Sequence, residues 1–323
     1  MAYNLPLVSV IIPTRNRKIF LRRALESVFG QTYKNIQIIV VDDASTDGTE
    51  DMILSIQRSS LQQELLYIRN AHPEGGARAR NTGIRQAKGE FVSFLDDDDE
   101  WLPEKTAIQA DFLMHNPEYA GVSCLYYQEC GDASRLSAAK EEVTFQDMLW
   151  GNICGSFSFA MTRREQVIYT SGINESLPSS QDWDFWLKMA AIGKIKVIQS
   201  PLAIYNVGNH DRISTRYRDI YGGYRKIFLQ YSRAMQRQCR LHHIRFLLHI
   251  RYRLVTGKRD KLRFLLKSLR FGPSPLIFLD MVNLFLPQRI FRMLKNIFNR
   301  LGIFPGRSFL HKASMPTIEN DAF

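Results

Sequence analysis

Apolar residues in the first 115 positions follow two patterns. Residues 8–12, 36–41 and 91–95 form short, mostly apolar runs, the first ended by Pro13. They read as strands, and 36–41 is too continuous in its apolar residues to be half exposed, which suits a parallel strand covered on both faces. Residues 65–69 make a further strand. Between the runs lie stretches with helical spacing. Phe20, Leu21, Ala24, Leu25 and Val28 share one face of a helix over 18–30, and Met52, Ile53 and Ile56 mark a second that Thr46 or Asp47 would cap. Residues 77–88 give a third, after the flexible pair Gly75-Gly76, and 104–115 a fourth that Pro103 opens. Alternation of this kind predicts an α/β domain with a doubly wound, mostly parallel sheet flanked by helices.

From 120 to 207 the pattern is mixed, with strands expected at 122–127, 156–161 and 195–198 and a helix at 183–192. Beyond Asp211 the chain is helical and basic. The expected organisation is a catalytic domain over 1–220, a basic helical extension over 221–312 and a disordered tail over 313–323.

Charge sharpens that division. Of the net +11, residues 233–323 carry 18 Lys+Arg against 4 Asp+Glu, a net of +14, while residues 1–232 carry 25 against 28, a net of −3. The basic excess belongs to the C-terminal part and suggests an anionic surface as partner. Four scattered cysteines, Cys124, Cys130, Cys154 and Cys239, form neither a zinc framework nor a disulfide scaffold, which points to a reducing compartment. Residues 1–6 lack the basic region of a signal peptide. The longest apolar stretch, 276–286, contains Asp280 and Asn283 and is far shorter than the ~20 residues that span a bilayer.

The candidate chemistry is carboxylate-rich. Asp96, Asp97, Asp98 and Asp99 follow the strand at 91–95 directly, and Asp42-Asp43 follow the strand at 36–41. Four adjacent like charges at a strand end call for a positive neutraliser, and a divalent cation takes hard oxygen ligands. Two acidic strand ends place the expected site at the carboxyl edge of the sheet. The plainer readings are a solvated acidic loop and, for Asp42-Asp43, a turn that closes a strand.

In order along the chain stand Val8-Ser9-Val10-Ile11-Ile12-Pro13-Thr14-Arg15-Asn16, Val40-Val41-Asp42-Asp43-Ala44-Ser45, Ala79-Arg80-Asn81-Thr82-Gly83 and Phe94-Leu95-Asp96-Asp97-Asp98-Asp99. This set resembles the family 2 inverting glycosyltransferases of GT-A fold, over roughly residues 7–208. The resemblance implies a nucleotide-sugar donor, most simply a UDP-sugar, and a divalent cation, Mn2+ or Mg2+. It implies Asp98 as metal ligand, Asp96 and Asp97 around the ribose, Asp43 on the base, and Pro13, Thr14 and Arg15 bordering base and ribose. Arg80 would neutralise the acidic cluster or touch the diphosphate. Ser180-Gln181-Asp182-Trp183-Asp184 matches the family's acidic helix start, so Asp182 is the expected catalytic base, with helix capping as the plainer role. His210 and Arg212 would belong to a segment that closes over the donor. Trp101, Trp150, Trp183 and Trp186 are expected mainly in the core, with sugar stacking as the alternative.

The acceptor implied is a saccharide, lipid-linked in many such enzymes, used in surface polysaccharide synthesis. Residues 289–301 form a basic amphipathic helix on a helical wheel, which suits a cytoplasmic enzyme resting on the membrane face; packing against the catalytic domain is the alternative. Nucleic acid is disfavoured, because no groove-reading pattern accompanies the charge. Competing functions are a metal-dependent nucleotidyltransferase, which lacks its expected Gly-rich loop here, and a non-catalytic membrane-binding scaffold.

Overall fold

The computed structural model describes residues 5–58, 63–131, 133–207 and 216–270. His210, Arg212, the stretch 276–286, the amphipathic helix at 289–301 and the tail at 313–323 lie outside the described residues.

The chain divides into two compact units. The first holds Met1–Met148, Ile153–Glu175 and Gln181–His210. The strands β1 (Val8–Thr14), β2 (Ile36–Asp42), β3 (Glu64–Arg69) and β4 (Phe91–Phe94) are parallel and stand in the order β3-β2-β1-β4. The sheet continues from β4 through β9 (Met161–Arg163), β6 (Tyr119–Cys130) and β10 (Lys194–Asn206) to β5 (Glu100–Trp101). β9 is antiparallel to both of its neighbours, and β6 and β10 are parallel. The short β7 (Ala133–Leu136) and β8 (Glu142–Val143) pair with β6 and β10.

Helices α1 (Lys18–Phe29), α2 (Thr49–Arg58), α3 (Gly76–Gln86), α4 (Lys105–His115), α5 (Phe145–Met148), α6 (Arg164–Tyr169) and α7 (Gln181–Ile192) belong to the same unit. β1 and β2 are buried along their whole length, their polar Ser9 and Gln37 included, as strands covered on both faces are. Leu21, Ala24, Leu25 and Val28 of α1 pack into the core beside Val10, Ile12, Ile38 and Val40. Asp47 caps α2, accepting from Thr49 N at 3.2 Å and Thr49 Oγ1 at 2.6 Å.

One glycine sets the depth of α3. A Cβ on Gly83 would lie 2.4 Å from Ile11 Cγ2, so only a hydrogen lets α3 rest this close to β1. That approach carries Arg80, on the same helix, to the strand ends.

One expected strand is absent. Residues 157–159 form a 3-10 turn, and the strand begins only at Met161. Ser156 caps the turn, its Oγ accepting from Ser158 N at 3.3 Å, and this local bond replaces a ladder bond. The Phe-Ser-Phe alternation imitates a strand because Phe157, Ser158 and Phe159 are all buried.

The second unit holds Leu149–Asn152, Ser176–Ser180 and Asp211–Phe323. It contains α8 (Tyr217–Tyr231), α9 (Arg237–Leu254) and α10 (Lys258–Leu269), with Tyr252 and Leu265 packed between α9 and α10. His243 is fully buried; it donates from Nε2 to Leu149 O at 2.7 Å and accepts from Tyr224 Oη at 2.5 Å. Burial holds this imidazole neutral, its pKa down at about 4. No helix among the described residues is long and apolar enough to cross a membrane.

Candidate active site

The parallel register brings three strand ends to one edge. Thr14 of β1 faces Asp42 of β2, and Ile11 faces Phe94 of β4, after which the chain turns into the four aspartates. The strand order departs from β1 to either side, towards β2 and towards β4, and such a switch is where an open α/β sheet leaves a crevice.

Each aspartate has its own surroundings. Asp97 is buried; it accepts from Thr14 Oγ1 at 2.8 Å and from Arg17 Nη1 at 3.0 Å. The same Arg17 nitrogen lies 3.1 Å from Asp98 Oδ2, so one guanidinium corner bridges two carboxylates. Asp96 pairs with Arg80 Nη2 and accepts from Ser156 Oγ at 2.9 Å. Asp99 is buried, accepting from Ser158 Oγ at 2.6 Å and from Asn206 N at 3.2 Å. Asn206 also donates from Nδ2 to Asp98 O at 2.8 Å, which ties the end of β10 to the cluster.

Burial raises the Asp97 pKa to about 6 against the opposing pull of Arg17. Burial lifts Asp99 well above the carboxylate range, and its neighbours Asp98 and Asp96 add to this. For Arg17, burial pulls the pKa down, but Asp97 and Asp98 outweigh it and leave the group above its ordinary value. Two guanidiniums, Arg17 and Arg80, face Asp96, Asp97 and Asp98, so this edge stays net negative when those three are ionised.

Those oxygens suit a hard divalent cation, and Asp98, with Asp97 beside it, is the pair that could hold one. Among the described residues no group of three or more His, Cys, Asp and Glu is placed to hold a metal ion. An ion that takes most of its ligands from a diphosphate and water needs only one or two carboxylates.

The Asp42-Asp43 pair divides its labour. Asp42 is fully buried and closes a turn, accepting from Ser45 N at 2.8 Å and from Tyr67 Oη at 2.6 Å. Asp43 Oδ1 accepts from Asn70 Nδ2 at 2.9 Å and Glu74 N at 2.7 Å, and its Oδ2 from Gly75 N at 2.8 Å. Asp43 thus clamps the loop that leads into α3. A carboxylate has about four acceptor positions, so one remains on Oδ2. Pro13 is buried at the end of β1 and Arg15 is exposed. Arg78 pairs at the surface with Glu175, Nε to Oε2 at 3.0 Å.

Asp182 stands at the start of α7, half-buried, its Oδ1 accepting from Trp183 N at 2.9 Å. Burial raises its pKa to about 6; the nearby charge of Asp96 raises it further and that of Arg80 lowers it. The base candidate and the acidic cluster are therefore close enough to feel one another. Asp184 is fully buried and pairs with Lys188 Nζ at 3.1 Å, so it points away from Asp182. Trp101, Trp183 and Trp186 are core residues, whereas Trp150 is exposed.

Arg17, Ser156, Ser158 and Asn206 also belong to the site and were not singled out from the sequence. Arg17 stands one residue beyond the motif that ends at Asn16. The others lie 59 to 108 positions away from their aspartate partners, and nothing local marks them.

A sheet in this order, with a carboxylate cluster at its switch point, defines the GT-A architecture of nucleotide-sugar transferases. Among solved structures, S. aureus TarS 1-349 in complex with UDP-GlcNAc superposes with a TM-score of 0.62 at 21% identity, covering 83% of this chain and 82% of that one. The Pyrobaculum calidifontis mannosyltransferase PcManGT, in complex with GDP-Man and Mn2+, gives 0.60 at 19%, covering 96% and 84%. The model for glycosyl transferase family 2 matches residues 9–168. The putative teichuronic acid biosynthesis glycosyltransferase TuaG of Bacillus subtilis (strain 168) is 30% identical over 217 residues, 66% of this chain and 84% of that protein. The Escherichia coli UDP-Glc:alpha-D-GlcNAc-diphosphoundecaprenol beta-1,3-glucosyltransferase WfaP is 32% identical over 191 residues, 58% of this chain and 71% of that protein. The chain belongs to glycosyl transferase family 2.

Proposed function

We propose that this chain is a metal-assisted inverting glycosyltransferase. It moves a sugar from a nucleotide diphosphate donor, a UDP-sugar, to a lipid-linked saccharide in surface polysaccharide synthesis. The observation that carries the reading is the pairing of the carboxylate cluster at the end of β4 with Asp182, a carboxylate of raised pKa near Asp96 and Arg80. The lipid-linked acceptor and the UDP-sugar are supported by relatives such as WfaP, whose name states both.

In this reading Asp43 takes the base with its remaining acceptor position, and Pro13, Thr14 and Arg15 border base and ribose. Asp96 and Asp97 serve the ribose side, and Arg80 faces the diphosphate. Asp98 holds Mn2+ or Mg2+, which when bound neutralises the charge that grows on the leaving diphosphate. Asp182 accepts the proton of the acceptor hydroxyl. That oxygen bonds to the anomeric carbon on the face opposite the diphosphate, the sugar–phosphate bond breaks, and configuration inverts. A panel of nucleotide sugars, assayed with and without Mn2+ on wild type, Asp98→Ala and Asp182→Asn, tests this. Transfer persisting undiminished in both variants sinks the site assignment.

Residues 1–220 form the catalytic region in this proposal, and the basic residues of 221–312 rest on an anionic cytoplasmic membrane face. On α10, Leu266 (49% exposed) and Leu269 (38%) stand among exposed Arg259, Arg263, Lys267 and Arg270. Apolar and basic groups side by side suit an interface of lipid headgroups. Co-sedimentation with vesicles containing anionic lipid should fall in the full chain carrying Arg259→Glu, Arg263→Glu and Arg270→Glu; unchanged binding removes α10 from the membrane contact.

A further inference from the structure

Arg17 sits where a metal would be expected. Its Nη1 lies 3.0 Å from Asp97 Oδ1 and 3.1 Å from Asp98 Oδ2, between the two carboxylates best placed to receive a cation. A divalent ion bonded to Asp98 Oδ2 would approach to about 2.1 Å. On that face of the oxygen the ion and the guanidinium corner exclude each other by volume, and their like charges repel.

The backbone around Arg17 is fixed. Arg17 O accepts from Leu21 N at 2.9 Å in the first turn of α1. On either side, Asn16 N donates to Ser45 Oγ at 2.8 Å and Lys18 N to Asp47 Oδ2 at 2.9 Å. The side chain is 26% exposed, against 7% for Asp97 and 12% for Asp98, so it borders water. Asp97 is held by Thr14 Oγ1 without Arg17. Displacing the guanidinium therefore needs only a change of the Arg17 side-chain torsions, with the backbone and Asp97 in place.

We propose that Arg17 is an internal counter-cation, a positioning residue that occupies the metal position in the donor-free enzyme and yields it when metal and donor load together. This rests on the metal-dependent reading above. Arg17 offsets one of the two adjacent negative charges between turnovers, at the cost of weak affinity for the bare ion. The diphosphate supplies the extra negative charge that lets the ion win.

The test is Mn2+ binding to the full-length protein without donor, followed by the electron paramagnetic resonance signal of free Mn2+, with folding checked by circular dichroism. Wild type, Arg17→Gln, Arg17→Lys and Asp98→Ala are compared, alone and with UDP. Removing a competing cation from the same oxygens should tighten Mn2+ binding by about tenfold or more in Arg17→Gln. Arg17→Lys, which lacks the planar fork, should fall between Arg17→Gln and wild type. If Arg17→Gln does not fold, Arg17→Lys decides. Affinity equal to or weaker than wild type in the folded variants overturns the counter-cation role while Asp98-dependent binding stands. If no protein shows Asp98-dependent Mn2+ binding even with UDP, the metal reading falls and the counter-cation role falls with it.

Discussion

Arg80 lies over the face of Phe157, its guanidinium carbon 4.4 Å from the ring centroid, and from there its Nη2 reaches Asp96. The ring fixes the plane of the guanidinium and the ion pair fixes its direction. Both depend on a flat, delocalised cation. Arg80→Lys keeps the charge and loses the geometry, so kcat/KM should fall by about 100-fold, nearly as far as in Arg80→Ala. Steady-state kinetics of the two variants checks this; a lysine variant near wild type would mean that charge alone matters.

Asp182 should impose an acid limb on the rate. Burial and Asp96 raise its pKa to about 6, and the base must be ionised to accept a proton. Below pH 6 kcat/KM should drop about tenfold per pH unit, and above it level off. Because the folded pKa exceeds the unfolded one, this group makes stability fall as pH rises between about 4 and 6. Asp182→Asn should abolish transfer and remove that part of the stability profile. A pH–rate profile and urea melts at pH 4.5 and 6.5 measure the two effects.

Ser158 supports the cluster from behind. It donates to Asp99 Oδ2 at 2.6 Å and accepts from Asp96 N at 3.0 Å. Ser158→Ala leaves two buried polar groups short of a partner, at about 1–3 kcal/mol each. The melting temperature should fall by several degrees and activity with it. Calorimetry together with the donor assay checks this.

Lys105 should give an unusual alkaline rise in stability. It is fully buried, donates to Gln109 Oε1 at 2.8 Å and Ser93 Oγ at 3.3 Å, and sits 3.9 Å above the Trp101 ring. Burial pulls its pKa down to about 7, far below that of the unfolded chain. The penalty for the buried charge is fully present below pH 7 and is relieved as pH rises above it, because the unfolded chain then binds more protons than the native one. Between pH 7 and 9 this amounts to on the order of 2 kcal/mol. Lys105→Met should flatten the rise in urea melts; an unchanged slope would place its origin elsewhere.

Mostly apolar runs made β1, β2 and β4 readable, because a strand buried on both faces keeps few polar positions, here Ser9, Gln37 and Ser93. The four aspartates were readable for the opposite reason, since adjacent charges at a buried strand end have no structural excuse. The partners of those aspartates were not. Ser156, Ser158 and Asn206 are common residue types whose meaning arises only when β9 and β10 close on β4. Arg17 is one basic residue among several in its neighbourhood, and the sequence does not say which one turns inward. The strand expected at 156–161 failed because burial of Phe157 and Phe159 carries the same apolar signal in a turn as in a ladder.

Arg80 and Asn81 are consecutive residues of α3. Arg80 holds Asp96, while the Asn81 amide accepts from Ile173 N at 2.9 Å and donates to Ile173 O at 2.9 Å and Glu175 Oε1 at 2.8 Å. A single helical turn thus grips the acidic edge with one residue and the stretch 172–175 with the next. Heating that loosens α3 releases both grips in the same event, so futile donor hydrolysis and productive transfer should share one inactivation temperature.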